Sequence, residues 1–281
     1  MSMYDSDYAG EFYDAYGSLE WDRLETTPYG RLQAIIHSDF IERYVSRADR
    51  VLDAGCGPGR FTTATAQMGA TVTALDISGR QLQLAKEKVG EARLLERVDA
   101  FVLADIADLS MFPDSHFDVV ICYGGALSYV CECRHQAASE LVRVVRPGGT
   151  LLISVMSRYG NIANLVRRPT LTVLKEPEEW HVRQLADSGD NPGFPSPRVN
   201  MQHPPMHMFT SEELRHLLPD CSVLELAGSN VTTSEGSAAL DDVYDDAQAW
   251  ATAVSLERLM NCKPGLADSG SHIIMAARRE G

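Results

Sequence analysis

The sequence predicts an α/β fold of the doubly wound type, in which strands and helices alternate around one sheet. The main observation is the stretch 51–61, where an apolar, β-prone pair is followed by a glycine-rich loop and then by a helix that ends at Gly69. The second observation is that the next strands along the chain end in acidic residues. The loop has glycines at alternate positions, namely Gly55, Gly57 and Gly59.

The glycine loop predicts a nucleotide-binding turn, because alternate glycines let the backbone turn sharply and let a ligand approach the bare main chain. The dinucleotide fingerprint does not fit, since its third glycine would stand at Arg60. The phosphate-binding P-loop does not fit either, since the loop does not end in Gly-Lys-Ser/Thr. The remaining pattern is Asp-x-Gly-x-Gly-x-Gly, which begins at Asp53.

An acidic residue follows the second predicted strand, 71–75. It is Asp76, which lies 19 residues after Gly57. An acid at about this spacing is placed to accept hydrogen bonds from both ribose hydroxyls. Ser78 is available to cap the next predicted helix, 78–89, and this leaves Asp76 free for the ligand.

A similar arrangement follows the third predicted strand, 100–104. At this position the carboxylate of Asp105 can accept a hydrogen bond from a ligand, and the backbone amide of Ile106 can donate one. The fourth predicted strand, 117–123, leads into the glycines at 124–125. Open α/β sheets bind ligands at the carboxyl ends of their strands, so these segments are expected to meet at one site.

The other elements are predicted from apolar periodicity, turn residues and capping signals. The predicted helices cover 30–47, 134–145, 211–218 and 238–262, and the predicted strands cover 150–155, 222–227 and 272–277. The sequence 146–149, Arg-Pro-Gly-Gly, is interpreted as the stop before the fifth strand. Thr210 and Glu213 predict a capping box. The acidic residues within 241–246 are assigned to the solvated face of the last helix.

The 281 residues are predicted to form a single domain, since this length can bury a core and no repeat or low-complexity linker divides it. We divide it into an N-terminal cap (1–48), a cofactor-binding core (49–155), an insertion or lid (156–209) and the C-terminal part of the sheet (210–281). The insertion contains seven prolines. A long irregular segment in a compact domain is usually functional.

Composition excludes several kinds of partner. The formal net charge of −14 repels polyphosphates, and the basic pair Arg167-Arg168 is isolated, so we expect no nucleic acid partner. No apolar run is long enough to span a bilayer, and the N-terminus lacks a signal-peptide pattern. Six cysteines without a secretory signal predict reduced thiols and a cytoplasmic protein. Cys131, Cys133 and His135 lack a second ligand pair, so no metal is predicted.

Residues 50–155 closely resemble class I S-adenosylmethionine-dependent methyltransferases, in the broad group that includes ubiquinone/menaquinone-biosynthesis methyltransferases and other small-molecule methyltransferases. The resemblance rests on the loop at 53–59, on the acids at 76 and 105, and on the Arg-Pro-Gly-Gly before the fifth strand. It implies a Rossmann-like seven-stranded sheet with an antiparallel last strand. It also implies S-adenosyl-L-methionine as the cofactor.

Carried over by position, the resemblance assigns a cofactor site. Its residues are Asp53, Gly55, Cys56, Gly57, Gly59, Asp76, Ile77, Asp105, Ile106 and Cys122. Among these, 55–57 would hold the methionine part of the cofactor, Asp76 the ribose and Asp105 the adenine. The backbone carbonyl of Cys122 would accept from the amino group.

The resemblance implies methyl transfer to an oxygen, nitrogen or carbon atom of a small, partly apolar metabolite. No catalytic residue is assigned, and the candidates for a proton acceptor are Tyr16, His181, His203 and His207. The aromatic residues of the N-terminus are interpreted both as a packed strap and as a cap that closes over the cofactor. They are Tyr4, Tyr8, Phe12, Tyr13, Tyr16, Trp21 and Tyr29.

Two alternatives stay open, a protein or tRNA methyltransferase and a non-catalytic cofactor-binding regulator on the same fold. The acidity of the chain disfavours tRNA. Methyltransferases that act on nucleobase amines typically carry Asn/Asp-Pro-Pro-Tyr/Phe after the fourth strand, whereas this chain has Cys-Tyr-Gly-Gly at 122–125. The expected partner is a small-molecule acceptor, with no nucleic acid and no membrane, and the expected state is a monomer or a homodimer.

Overall fold

The chain folds around one seven-stranded sheet. The computed structural model describes residues 3–167 and 178–281 and, within them, the side chains at all positions except 167, 178–181, 238 and 239. The sheet strands are β1 (Arg50–Ala54), β2 (Thr71–Asp76), β3 (Val98–Leu103), β4 (Phe117–Cys122), β5 (Val145–Met156), β10 (Cys221–Ser229) and β11 (His272–Arg279). Their order across the sheet is β10-β11-β5-β4-β1-β2-β3.

The strand directions confirm the predicted fold class. Strands β1 to β5 pair in parallel, and β11 pairs antiparallel with both of its neighbours, β5 and β10. The chain order reverses between β1 and β4, which places the topological switch point beside the glycine loop. Ligands bind at this point in open α/β sheets.

Helices cover both faces of the sheet. They are α1 (Ser6–Tyr16), α2 (Leu19–Asp22), α3 (Pro28–Tyr44), α4 (Arg60–Gln67), α5 (Gly79–Glu91), α6 (Ala126–Tyr129), α7 (Arg134–Val144), α8 (Arg158–Arg167), α9 (Glu178–Ser188), α10 (Ser211–Leu217), α11 (Ala238–Asp245) and α12 (Ala247–Met260). None of the helices in the described ranges has the length and apolar character needed to cross a membrane.

Side chains that alternate along the strands divide the apolar core into two clusters, one on each face of the sheet. Leu52 packs into a cluster that contains apolar residues of α6, α7 and α10, whereas its neighbour Val51 packs into a cluster with residues of α3 and α4. Successive strand side chains point to opposite faces, so a strand buried on both faces must be apolar at both positions. This rigid sheet holds the ends of β1, β2 and β4 in fixed positions at one edge.

The insertion contains α8, α9 and two short hairpins. Strand β6 (Asp190–Asn191) pairs with β9 (Met206–His207), and β7 (Pro195–Ser196) pairs with β8 (Met201–Gln202). The pair β7–β8 lies within the loop that joins β6 to β9, so residues 190–207 form a double hairpin.

Two of the predicted elements are wrong in detail. The predicted helix 238–262 is two helices, because Oδ1 of Asp246 accepts from the backbone amides of Gln248 and Ala249 and thereby caps α12. A carboxylate that binds the backbone in this way ends one helix and starts another. The Arg-Pro-Gly-Gly at 146–149 lies inside β5, where the register with β4 shifts. The capping box at Thr210 and Glu213 is confirmed.

Candidate active site

A first cavity of about 110 Å³ opens at the carboxyl ends of β1, β2 and β4. The glycine loop, the residues after β2 and β3, and the N-terminal segment contribute to its walls. Its lining includes Tyr4, Tyr13, Glu20, Arg23, Gly55, Cys56, Gly57, Arg60, Asp76, Ile77, Gln81, Asp105, Ile106, Tyr123, Gly124 and Tyr129. Seven of the ten predicted cofactor residues therefore lie together.

The glycine loop is folded against the end of β2. The backbone amides of Gly55 and Cys56 donate to the carbonyl of Leu75 at 2.8 and 2.9 Å. Gly57 has a φ of +52°, and a Cβ atom added there would meet only the side chain of Glu20, at 3.7 Å. The loop thus leaves bare backbone facing the cavity, which is the arrangement that glycine allows.

Asp76 joins the loop to the second helix of the site. Its Oδ2 accepts from the backbone amide of Gly57 at 2.8 Å, and its Oδ1 accepts from the amide of Ser78 at 2.9 Å. Burial raises the pKa of Asp76 to about 6, although both backbone hydrogen bonds act in the opposite direction. The hydroxyl of Ser78 caps α5, as predicted, so the carboxylate is not used as a helix cap.

Asp105 is in contact with the N-terminal segment. Its Oδ2 accepts from the phenol of Tyr4 at 2.6 Å, and its Oδ1 accepts from the backbone amide of Ala107 at 2.8 Å. Burial and the nearby carboxylate raise the pKa of Tyr4 above its usual range, so this phenol is a donor. The N-terminus therefore closes over the carboxylate to which the resemblance assigns the adenine.

Three predicted cofactor residues lie behind the cavity wall. Asp53 is 1% exposed and accepts from the hydroxyl of Thr62 at 2.6 Å, and burial raises its pKa to about 7. Gly59 starts α4 and faces Ala85, with no room for a side chain. The side chain of Cys122 is fully buried in the core at the end of β4. None of these three residues is among those that line the first cavity.

The cavity wall carries polar atoms that suit a polar ligand. Nε of Arg60, Oε1 of Gln81 and the phenol of Tyr123 are buried and have no hydrogen-bond partner among the described residues. All three residues line the first cavity. Buried polar atoms are normally paired, so unpaired ones at a cavity wall fit a ligand that brings both donors and acceptors.

A second cavity of about 1360 Å³ adjoins the first. The two share residues at their common wall, namely Tyr13, Glu20, Arg23, Gly124 and Tyr129. The second cavity is further lined by residues of α1, α3, α8, the nested hairpins and the start of β11, including Phe12, Tyr16, Gln33, Met156, Asn161, Asn164, Phe194, Arg198, His203, Met206, Met208 and His272. Its wall therefore combines apolar and aromatic side chains with many polar ones.

Charge at the common wall is balanced. The guanidinium of Arg23 donates to the carboxylate of Glu20, with Nε at 2.7 Å from Oε1. The rings of Tyr13 and Tyr129 pack edge-on beside them, with centroids 5.7 Å apart. The passage between the two cavities is thus formed by one ion pair, two phenols and the bare backbone of Gly124.

The candidate proton acceptors separate. His203 and Tyr16 line the second cavity, whereas His207 lines neither cavity. Nδ1 of His207 bonds to the carboxylate of Asp190 at 2.7 Å, and its ring packs edge-on against Phe209. The side chain of His181 lies outside the described residues.

Several residues of the site were not predicted. Arg23, Gln33, Tyr129 and His272 carry no local motif, and only the tertiary fold brings them to the cavities. Tyr13 belongs to the N-terminal aromatic group, whose enrichment was the available signal. No three His, Cys, Asp or Glu side chains within residues 3–167 and 178–281 are arranged to hold a metal ion.

Comparison with known proteins identifies the domain. Residues 52–153 match the family described as a methyltransferase domain. A malonyl-[acyl-carrier protein] O-methyltransferase of Pectobacterium atrosepticum is 35% identical over 108 residues, which are 38% of this chain and 39% of that protein. The chain thus spans about two fifths of the length of this relative. The YqeM protein of Bacillus subtilis is 24% identical over 86% of this chain and 99% of its own length.

Solved structures share the fold. A S-adenosylmethionine-dependent methyltransferase of Methanosarcina mazei superposes with a TM-score of 0.58 at 18% identity, over 86% of this chain and 97% of its own. The 1,6-didemethyltoxoflavin-N1-methyltransferase of Burkholderia thailandensis gives a TM-score of 0.55 at 18% identity, over 98% of this chain and 87% of its own. The [4+2]-cyclase SpnF gives a TM-score of 0.60 at 18% identity, over 98% of this chain and 97% of its own. One fold therefore carries different chemistries.

Proposed function

Because this chain belongs, through the domain at residues 52–153, to the class I S-adenosylmethionine-dependent methyltransferases, we propose that it transfers the cofactor's methyl group to an oxygen, nitrogen or carbon atom of a small, partly apolar molecule. The observation that carries the proposal is the adjacency of the two cavities, one lined by the glycine loop and the acids and the other by a mixture of apolar, aromatic and polar side chains. The first cavity would hold the cofactor and the second the acceptor.

Within this proposal each predicted residue of the first cavity has a role. The backbone of Gly55–Gly57 would contact the methionine part, and Asp76 would accept from the ribose hydroxyls. Asp105 would accept from the adenine amine, and the amide of Ile106 would donate to a ring nitrogen. The unpaired atoms of Arg60 and Gln81 support binding of a polar group close to the loop.

The bound cofactor supplies a methyl group on a positively charged sulfur, which is an excellent leaving group. The protein's own contribution is to align the acceptor and to exclude water. Effective molarity from such alignment supplies several kcal/mol of barrier reduction, about 7–11 kcal/mol in the best intramolecular cases. The aromatic and methionine side chains of the second cavity suit both tasks.

A small acceptor is favoured over a macromolecule. The second cavity is walled by α1, α3, α8 and the nested hairpins, so an acceptor must enter it as a compact group. The net charge of −14 opposes RNA, and it also opposes an acidic carrier protein. The six cysteines are free thiols, which is consistent with a cytoplasmic protein.

The proposal is tested by incubating the protein with methyl-labelled S-adenosylmethionine and an ultrafiltered cell extract, followed by mass spectrometry of small molecules. Labelled small molecules together with retained cofactor are expected, and Asp76→Ala should abolish both. Label found only in protein or RNA would favour a macromolecular acceptor. Bound cofactor without label in any fraction would favour a regulator, and absence of cofactor binding would contradict the proposal.

A further inference from the structure

His203 is held in one orientation at the wall of the second cavity. Its Nδ1 lies 3.1 Å from the carbonyl oxygen of Pro204, which can only accept, so Nδ1 carries the proton and donates. Nε2 is then the unprotonated nitrogen of the neutral ring. This nitrogen has no hydrogen-bond partner among the described residues, and His203 lines the second cavity.

Aromatic neighbours fix the plane of this ring. Phe194 stacks on it with centroids 4.5 Å apart and an interplanar angle of 12°. Phe12 packs against it at 5.0 Å, and Tyr129 at 5.6 Å. Since Tyr129 also lines the first cavity, the imidazole stands one aromatic ring away from the passage between the two cavities.

The surroundings keep this imidazole neutral but able to accept a proton. Burial lowers the pKa of His203 below its ordinary value, and the bond to Pro204 and the carboxylate of Glu20 oppose that shift. The ring is therefore unprotonated at neutral pH. The nearby carboxylate would stabilise the imidazolium once it forms.

We propose that His203 is the catalytic base of this enzyme and that its acceptor is a neutral molecule with an O–H or N–H group at the methylated atom. The inference rests on the proposed function. In the step, the acceptor O–H or N–H bond breaks and its proton passes to Nε2 of His203. The acceptor lone pair forms the bond to the methyl carbon, and the electron pair of the breaking C–S bond stays on sulfur, giving S-adenosylhomocysteine.

The charges of the second cavity argue against the other simple acceptor, a carboxylate. A carboxylate needs no base, but a buried carboxylate needs a cation or several hydrogen-bond donors from the protein. Two arginines line this cavity among the described residues: Arg23 is paired with Glu20, and Arg198 is exposed, with Nη1 3.5 Å from the phenol of Tyr16. A neutral protic acceptor beside a neutral base fits this wall without an unpaired buried charge.

The first experiment compares three proteins: wild type, His203→Asn and His216→Asn. Asparagine at 203 can still donate to the Pro204 carbonyl but cannot take a proton, and His216 is exposed on α10 and serves as the control. Methyl transfer from labelled cofactor into the ultrafiltered extract is measured between pH 5 and 9. His203→Asn should lower kcat by about 10²–10⁴-fold, the usual contribution of a general base.

The pH profile distinguishes a base from a structural residue. Wild-type kcat should fall as the pH drops through a value below about 6.5, the ordinary imidazole pKa, and this limb should be absent in His203→Asn. S-adenosylhomocysteine should bind all three proteins with equal affinity by calorimetry. Unchanged kcat in His203→Asn, or label found in methyl esters, would overturn the inference while leaving the proposed function intact.

A second measurement does not depend on turnover. Nitrogen-15 spectra of the imidazole in the protein should show Nδ1 protonated, Nε2 unprotonated, and a pKa below the ordinary imidazole value of 6.5. A protonated Nε2 at neutral pH would overturn the inference. If wild type transfers no label to any small molecule, the proposed function itself fails, and that result differs from every outcome of the His203 comparison.

Discussion

The phenol of Tyr4 donates to Oδ2 of Asp105 at 2.6 Å, across 101 residues of sequence. This bond ties the N-terminus to the far side of the first cavity, while the side chain of Glu132 accepts from the amides of Met3 and Tyr4 and anchors the same segment. These contacts form a clasp at the nucleoside end of the proposed cofactor site, and we expect ligand entry to involve opening of the clasp.

Removing the clasp should speed ligand exchange. A hydrogen bond to a charged group is worth about 1.5–3 kcal/mol, so Tyr4→Phe is expected to raise both the association and dissociation rates of S-adenosylhomocysteine about tenfold or more, with a smaller change in Kd. Stopped-flow fluorescence measures the rates. Tyr8→Phe is the matched control, since that phenol donates to the Gln202 carbonyl outside the first cavity. Equal rates in all three proteins would contradict the clasp.

Cofactor affinity should depend on pH through Asp76. Its pKa is raised to about 6, and ribose hydroxyls need the charged carboxylate as their acceptor. As the pH falls below 6 the carboxyl gains a proton, so Kd for S-adenosylhomocysteine is expected to rise about tenfold per pH unit. Calorimetry from pH 5 to 8 measures it. Asp76→Asn should bind more weakly at pH 7.5 and should show no such slope; a slope that survives the substitution would assign it to another group.

Two glycines of the loop should respond differently to alanine. Both have positive φ, +52° at Gly57 and +82° at Gly59, so each substitution carries about 1–2 kcal/mol of backbone strain. A Cβ at 59 would also stand 2.8 Å from Cβ of Ala85, whereas at 57 it would project towards the first cavity. Gly59→Ala is expected to lower the free energy of unfolding by a further 1–3 kcal/mol or so.

Gly57→Ala should instead act mainly on cofactor binding, with a loss of at least tenfold in affinity because the new methyl group occupies ligand space. Urea unfolding and calorimetry on the same two variants give the comparison. The assignment of Gly57 to the cavity and Gly59 to packing is wrong if Gly59→Ala, once folded, loses more affinity than Gly57→Ala.

Acid should destabilise the fold through His37. Its Nδ1 donates to the Gln33 carbonyl at 2.8 Å, its Nε2 has no partner among the described residues, and burial lowers its pKa to about 4. Between pH 4 and 6.5 the unfolded chain therefore binds more protons than the folded chain, so stability falls as the pH falls through this window. This residue alone should remove about 2 kcal/mol between pH 7 and pH 5.

The measurement is urea unfolding at both pH values for wild type, His37→Gln and His216→Gln. The difference in unfolding free energy between pH 7 and pH 5 should be smaller by about 2 kcal/mol in His37→Gln than in the other two proteins. The same difference in all three would exclude His37 as the source.

The first cavity could be predicted because its chemistry is local in sequence. The glycine loop and Asp76 are set by a strand, a turn and the next strand. Because the hydroxyl of Ser78 caps α5, the carboxylate of Asp76 is not used as a helix cap and accepts from the amide of Gly57. Such short-range features can be recognised from a single sequence. The strand ends were predicted for the same reason, and the sheet then forces them to one edge.

The second cavity could not be predicted, because it is made by long-range packing. Phe12, His203 and His272 come from three distant segments. His203 and His207 looked equivalent in the sequence, but the pairing of β6 with β9 places His207 beside Asp190, away from both cavities. That pairing joins residues across a proline-rich hairpin, and no apolar periodicity in the sequence predicts it.

Helix α1 forms part of the wall of both cavities, through Ala9 and Tyr13 on one side and Phe12, Tyr13 and Tyr16 on the other. Because one helix borders both cavities, access to one cavity depends on access to the other. A movement of α1 that released spent cofactor would expose the methylated product at the same time, because this helix borders both cavities. If one movement of α1 opens both cavities, the two products can leave in either order, so steady-state kinetics should show random and not ordered release.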